Sequence, residues 1–181
     1  MEVMKAIKTR RSIRRYKTTA VDDKTVDLVL EAARWAPSWA NTQCWRFIVV
    51  RDSSIKAELA EILGGNPAAG AVRNAPVVIV ACAELGKSGY YKGEVATDKG
   101  DWFMFDVALA MQNLVLAAYS LGLGTVHVGF FDAKRVAGIL AVPQGLHVVE
   151  MTPLGYPDEE PKVRPRKELF EIVFRDKYGC H

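Results

Sequence analysis

Cysteine is too sparse to frame this chain. Three cysteines in 181 residues, Cys44, Cys82 and Cys180, are odd in number and show no metal-ligand spacing. Neither a disulfide framework nor a metal centre is therefore expected, and a reducing compartment is the default. Long apolar runs are also missing, so no bilayer-spanning stretch is predicted. The N-terminus lacks the apolar core of a signal peptide. Its basic residues over 5–17 are compatible with a transit peptide, but Val3, Met4 and Ile7 at helical spacing read instead as a docked first helix. The expectation is a cytoplasmic protein. Repeats and low-complexity segments are likewise lacking and no second domain is read, so residues 1–181 are taken as a single domain.

Acidic residues are lacking in two places where basic ones crowd. KTRRSIRRYK (8–17) has six Lys and Arg residues and KVRPRK (162–167) has four, with no Asp or Glu in either. The remaining chain carries 14 basic against 21 acidic residues, a net charge of −7. A nucleic-acid surface spreads positive charge along a face; an acidic body with two focal basic patches fits convergence on one compact anion. Arginine suits phosphate because its planar fork makes two parallel charge-assisted bonds, and a neighbouring serine adds another. In an extended segment, Arg10, Ser12 and Arg14 would project to one side. Such a run also suits a plain solvated face, and the local sequence leaves both readings open.

Hydrophobic periodicity supplies the frame. A short helix is predicted over 2–9. A second, capped by Asp22 or Asp23, has Val26, Val29, Leu30 and Ala33 on one face, and Pro37 ends it. WRFIVVR (45–51) reads as a strand. A third helix, capped by Ser53 or Ser54, stops at GGNP. APVVIVACA (75–83) reads as a strand covered on both faces. Residues 84–100 are a polar, glycine-rich excursion, functional or mobile. Asp101 caps the strongest helix, about 102–121, which is apolar nearly all round and thus central or at a subunit interface. Gly122 and Gly124 close it. TVHVG reads as a short strand, 133–140 as a helix capped by Asp132, and LHVVEMTPLGYP as the last strand. The apolar tail after Lys162 needs a surface to pack on. Helices and strands mix without clean βαβ units, so the class is α+β. GLGTVHVG is no dinucleotide fingerprint, because it follows a helix and has the wrong spacing.

APSWANTQCWRF (36–47) combines a rigid proline, small hydroxyl and amide groups and two tryptophans. A loop of this kind can approach a planar heterocycle closely. It can equally be a helix-terminating loop, with Trp45 in the core. In order, RRSIRRY, EAARWAPSWANTQCWRFIVV, APVVIVACA, DVALAMQNLVLAAYSLGLGT, VGFF, LGYP and RPRKELFEIV resemble the nitroreductase family of flavoproteins across nearly the whole chain.

The resemblance implies an α+β fold: a central mixed or antiparallel sheet flanked by helices, in an intertwined homodimer. FMN would lie at two interface sites, and an arm over about 162–181 would pack on the partner. It implies that Arg10, Arg11, Ser12 and Arg14 hold the FMN phosphate and ribityl chain, with Arg164 and Arg166 helping. Pro37, Ser38, Trp39 and Asn41 would reach the flavin, largely of the other subunit. Val126, His127, Val128 and Gly129 would lie beneath the ring, a backbone N–H of Val128 or Gly129 approaching N5. No catalytic side chain is implied, because the flavin carries the chemistry. Gln112 and Asn113 would be structural.

The activity implied is two-electron, ping-pong reduction of nitroaromatics, quinones, flavins or enoates by NADH or NADPH. Alternatives are flavin cleavage or reductive dehalogenation on the same fold, or FMN binding without turnover. No nucleic-acid or membrane partner is expected. Tyr90, Tyr91 and Trp102 are candidates for an acceptor-pocket wall or lid, while Phe130 and Phe131 are expected in the core. The sequence departs from the family in three ways. Cys44 replaces a usual proline. No carboxylate stands at His127 or Val128. Residues 66–74 offer only Arg73 and Asn66 in place of a lysine facing the flavin N1–O2 edge.

Overall fold

A computed structural model describes residues 1–180. Four strands form one antiparallel sheet in the order β1-β2-β6-β5. They are β1 (Trp45–Val50), β2 (Val77–Glu84), β5 (Gly124–Thr125) and β6 (Leu146–Gly155). Strand β2 explains the layering, because its residues are apolar from Val77 to Ala83 and point alternately to two faces. Val77, Ile79, Ala81 and Ala83 enter a core with helices α2 (Asp23–Arg34) and α5 (Phe103–Ser120). Val78, Val80 and Cys82 enter a second core with α3 (Ser53–Leu63), α4 (Ala69–Asn74) and α6 (Ala133–Ile139). Both faces are covered, as the sequence predicts.

Several boundaries differ from expectation. The cap of α3 is Asp52, whose carboxylate accepts from the Ser54 and Ile55 amides at 2.8 and 3.0 Å. Carboxylates at N-caps bind free amides strongly and complement the helix dipole, so Asp52 outcompetes the adjacent serines. Helix α4 was not foreseen, because six residues are too short for a periodic signal. The excursion holds a small hairpin, β3 (Tyr90–Tyr91) with β4 (Glu94–Val95). Of TVHVG (125–129) only Thr125 joins the sheet, following Gly124, with Val128 adding an isolated bridge to Met151. Gly122, at φ 80°, closes α5, whereas Gly124 already belongs to β5.

Helix α5 is 18 residues long and apolar enough to cross a membrane by length and composition, contrary to the sequence expectation. It earns that composition as the central helix, burying Val107, Ala110, Met111, Leu114, Val115 and Ala118. One stripe is left open, with Met104 and Phe105 both more than half exposed. Helix α1 (Val3–Thr9) forms, but only Ala6 is buried; Val3, Met4 and Ile7 face outward in the single chain, so the predicted docking does not occur within it. The same holds for the tail, where α7 (Leu169–Ile172) exposes Leu169, Phe170 and Ile172. Phe130, expected in the core, is 85% exposed, while Phe131 packs on the second core.

Candidate functional site

The basic N-terminal segment is fixed at the sheet edge by two facing glycines. Gly124 of β5 lies opposite Gly155 of β6. A Cβ on Gly124 would meet Ile13 at 2.7 Å, and one on Gly155 would meet Pro76 at 2.7 Å and Tyr16 at 3.1 Å. The missing side chains let Ile13 and Tyr16 pack close to the edge. Ser12 forms a parallel bridge with Thr125, and the Ile13 amide donates to the Thr125 carbonyl at 2.9 Å. The Tyr16 hydroxyl donates to the Ile13 carbonyl at 2.6 Å, and burial raises its pKa far above the ordinary value. Apolar anchors at 13 and 16 thus alternate with polar residues that remain outside.

Those polar residues line a cavity of about 530 Å³, bounded by Arg10, Arg11, Ser12, Arg14, Pro67, Pro161, Lys162, Arg164 and Arg166. The two basic segments, some 150 residues apart in sequence, therefore meet as predicted. Sequence reasoning did not single out Lys162 within its basic run, nor the prolines that wall the cavity. Among the described residues, none of these six cationic side chains is paired with a carboxylate. The Arg11 Nη1 donates to the carbonyls of Lys8 and Arg10, both at 2.8 Å, neutralising the C-terminal end of α1. Arg10 is different, because its Nη1 is buried without any hydrogen-bond partner. Its pKa is lowered by burial first, then by Arg11 and Arg166. A buried orphaned guanidinium donor beside other cations is an arrangement that an anion would complete. The donor set fits a phosphate, so the cavity passes the chemical test for a phosphorylated cofactor.

Beyond Thr125 the chain continues along this edge. Val126 and Val128 are buried in the second core, and His127 turns to the opposite side. His127 Nδ1 lies 3.0 Å from both oxygens of Glu150, so this carboxylate on β6, which the sequence does not single out, orients the histidine. The Val128 amide already donates to Met151 at 2.9 Å. Of the two amides predicted to face the ring, Val128's is engaged. Gly129 is exposed, with open space where a Cβ would stand.

Pro37, Ser38, Trp39 and Asn41 do not line the basic cavity of their own chain. They form a loop with a 3₁₀ turn at Trp39–Asn41, in which Ala40, Asn41 and Gln43 all have positive φ, at 46, 58 and 48°. Three non-glycine residues in the left-handed region carry strain that the surroundings must offset. Asp106, fully buried in the first turn of α5, supplies that support. Its carboxylate accepts from the Trp39 amide at 3.0 Å, the Ser88 hydroxyl at 2.6 Å and the Thr42 hydroxyl at 3.4 Å. The Cys44 thiol approaches it at 3.8 Å. Burial, reinforced by Asp106, pushes the Cys44 pKa up to about 12, so the buried thiol stays protonated and packs as a weak donor. Asp106 went unremarked in the sequence, although a lone acid within an apolar helix was a usable signal.

Ser88 also draws in the excursion. The Trp102 amide donates to the Ser88 carbonyl at 3.0 Å, and its Nε1 to Thr97 at 2.9 Å. A Cβ at Gly89 would stand 2.6 Å from the Trp102 ring. The N-cap of α5 is Trp102 and not the expected Asp101, because the helix starts one residue later. Asp101, just before it, accepts from the Phe103 and Gly86 amides at 3.1 and 2.8 Å and so ties the excursion to the start of the helix. Trp102 lines a cavity of about 320 Å³ with Lys99, Asp101, Met104 and Phe105. Tyr90 and Tyr91 do not border it; Tyr91 lies 67% exposed beneath Lys92.

Against this geometry the comparisons agree. The profile of the Nitroreductase family matches residues 7–156. A Methanothermobacter thermautotrophicus protein with the provisional name NADH dehydrogenase/NAD(P)H nitroreductase is 37% identical over 175 residues, 94% of this chain and 84% of the relative. A crystal structure of a nitroreductase family protein from Clostridium novyi NT superposes with a TM-score of 0.79 at 34% identity, covering 99% and 96% of the two chains. The NADPH:FMN oxidoreductase of Vibrio harveyi, solved with NAD+, gives 0.84 at 29% identity, covering 97% of this chain and 77% of that one.

Proposed function

The chain belongs to the nitroreductase family, and from that premise we propose that it is an FMN-dependent oxidoreductase using NADH or NADPH to reduce small acceptors. The convergence of six unpaired cationic side chains on one cavity, with the buried orphaned Nη1 of Arg10 among them, carries the reading. When bound, FMN would supply the two-electron redox chemistry between NADH or NADPH and a nitroaromatic, quinone, flavin or enoate acceptor.

The chain's own groups bind and orient. Arg10, Ser12, Arg14, Lys162, Arg164 and Arg166 would hold the phosphate. Thr125 runs parallel to Ser12. Residues 126–129 continue from it along the sheet edge, and the Gly129 amide would be the one to meet the polar edge of the cofactor. Donor and acceptor would use that face in turn, which gives ping-pong kinetics. Residues 1–181 would act as one domain in the cytoplasm.

The loop of Pro37, Ser38, Trp39 and Asn41 lies away from its own chain's clamp, so we assign it to the site of a second copy. The open apolar residues of α1, α5 and α7 would form the homodimer surface, with the arm from Lys162 crossing it. Trp102, at the smaller cavity, is the better acceptor-wall candidate than Tyr90 or Tyr91.

Anaerobic titration of the FMN-loaded protein with NADH or NADPH tests the proposal. Bleaching of the flavin, followed by reoxidation on adding menadione or a nitrofuran, is expected. Protein that cannot be reconstituted with FMN refutes the reading. Bound flavin that NAD(P)H leaves oxidised reduces it to a binder without turnover, and cleavage of the flavin would reassign the reaction.

A further inference from the structure

One carboxylate stands beside the basic cavity yet is paired with none of its cations. Glu159 follows β6 and is partly buried, with 21% of its side chain exposed. Its Oε1 accepts from the backbone amides of both Arg14 and Arg15, the second at 3.1 Å. Its Oε2 lies 3.6 Å from the Arg15 Nε. Successive amides of a regular strand point to opposite edges. Two neighbours converging on one oxygen mean that the chain leaves regular extension at Arg14. The segment is otherwise tied at Ile13 to Thr125 and at Lys17 to Tyr156, while the Arg15 carbonyl accepts from Asp158. Glu159 thus holds the Arg14 and Arg15 amides, which lie between these ties. The consequence is a division of labour: Arg15 turns outward, with its side chain 73% exposed, and Arg14 lines the cavity.

We propose that Glu159 is a positioning residue of the clamp, fixing the backbone at Arg14 and Arg15 so that Arg14 faces the bound phosphate and Arg15 does not. The inference rests on reading the cavity as the FMN phosphate site. Its strength is that charge and position predict opposite signs. As a nearby negative charge, Glu159 disfavours an anion, and removing it should tighten binding. As the anchor of the kink, it presents Arg14, and removing it should weaken binding. The adjacent Glu160 separates the two effects, being exposed, of equal charge and bonded to neither amide.

FMN affinity by fluorescence quenching, with hydrogen exchange at the Arg14 and Arg15 amides, would be compared for wild type, Glu159→Ala, Glu159→Gln and Glu160→Ala. Loss of a charge-assisted anchor predicts about tenfold weaker FMN binding and faster exchange at both amides for Glu159→Ala. Glu159→Gln, whose Oε1 still accepts, should return within about threefold of wild type. Glu160→Ala should leave the affinity unchanged or slightly tighter. Equal or tighter binding by Glu159→Ala, or no recovery with glutamine, overturns the proposal. Should the wild type bind no FMN, the functional reading falls, and the exchange data still decide: unchanged protection at Arg14 and Arg15 in Glu159→Ala overturns the anchoring role.

Discussion

Replacing Asp106 with alanine tests the network under the strained loop. The carboxylate is fully buried, and its removal strands the Trp39 amide and the fully buried Ser88 hydroxyl, with Thr42 a weaker third donor. Each stranded buried donor costs about 1–3 kcal/mol. Loss of an anion in the first turn of α5 adds about 0.3–1 kcal/mol. Relief from burying a charge offsets part of this, which leaves a net cost of about 3–5 kcal/mol for the stranded donors together. For a domain of this size that corresponds to a fall in Tm of about 6–20 °C. Differential scanning fluorimetry at one fixed protein concentration reads it directly, since association would shift Tm. Asp106→Asn keeps one acceptor and should lose less. Ser88→Ala in the Asp106→Ala background should cost little further, because the two share one bond. A Tm for Asp106→Ala within 3 °C of wild type, an effect of about 1 kcal/mol, would refute the account of the loop.

Arg10→Ala should weaken FMN binding by roughly tenfold to a hundredfold, the worth of a charge-assisted bond, with Arg14→Ala adding to it; unchanged affinity in the double variant removes the clamp. Gly124→Ala must displace Ile13, 2.7 Å from the new Cβ, so a loss of about 1–3 kcal/mol in urea denaturation is expected together with weaker FMN binding. A thiol reagent at pH 8 should modify Cys180 in the folded protein and spare Cys44 and Cys82, whose pKa values burial pushes up to about 12 and about 11. The linked stability has a defined sign. Both thiols stay protonated in the folded state after the unfolded chain has begun to ionise near 9, so their contribution is lost as pH rises above 9. Alkaline denaturation curves for Cys44→Ala should show a shallower loss in that window.

Much of the frame was legible because its signals are local. The apolar run of β2 from Val77 to Ala83, the periodic face of α2 and the caps at Asp22 and Asp132 depend on neighbours within a few residues. Arg10, Ser12 and Arg14 are likewise singled out by a local signal, charge density and alternation. The elements that escaped notice depend on distant partners or are too short to show a period. Helix α4 has six residues. The place of Phe130 depends on where an edge segment turns, and Val3, Met4 and Ile7 depend on a surface the single chain does not provide.

By itself, the sequence determined the α+β class, the two-faced central strand and the presence of two basic segments suited to an anion. Tertiary structure decided that those segments share one cavity, because the Gly124 and Gly155 pair lets Ile13 and Tyr16 dock at the sheet edge. It also decided that Asp106 holds a loop more than sixty positions away and that Glu159 grips the backbone of Arg14. Hydrogen bonds and close packing act over a few ångströms, and only the folded chain brings residues so far apart in sequence within that reach.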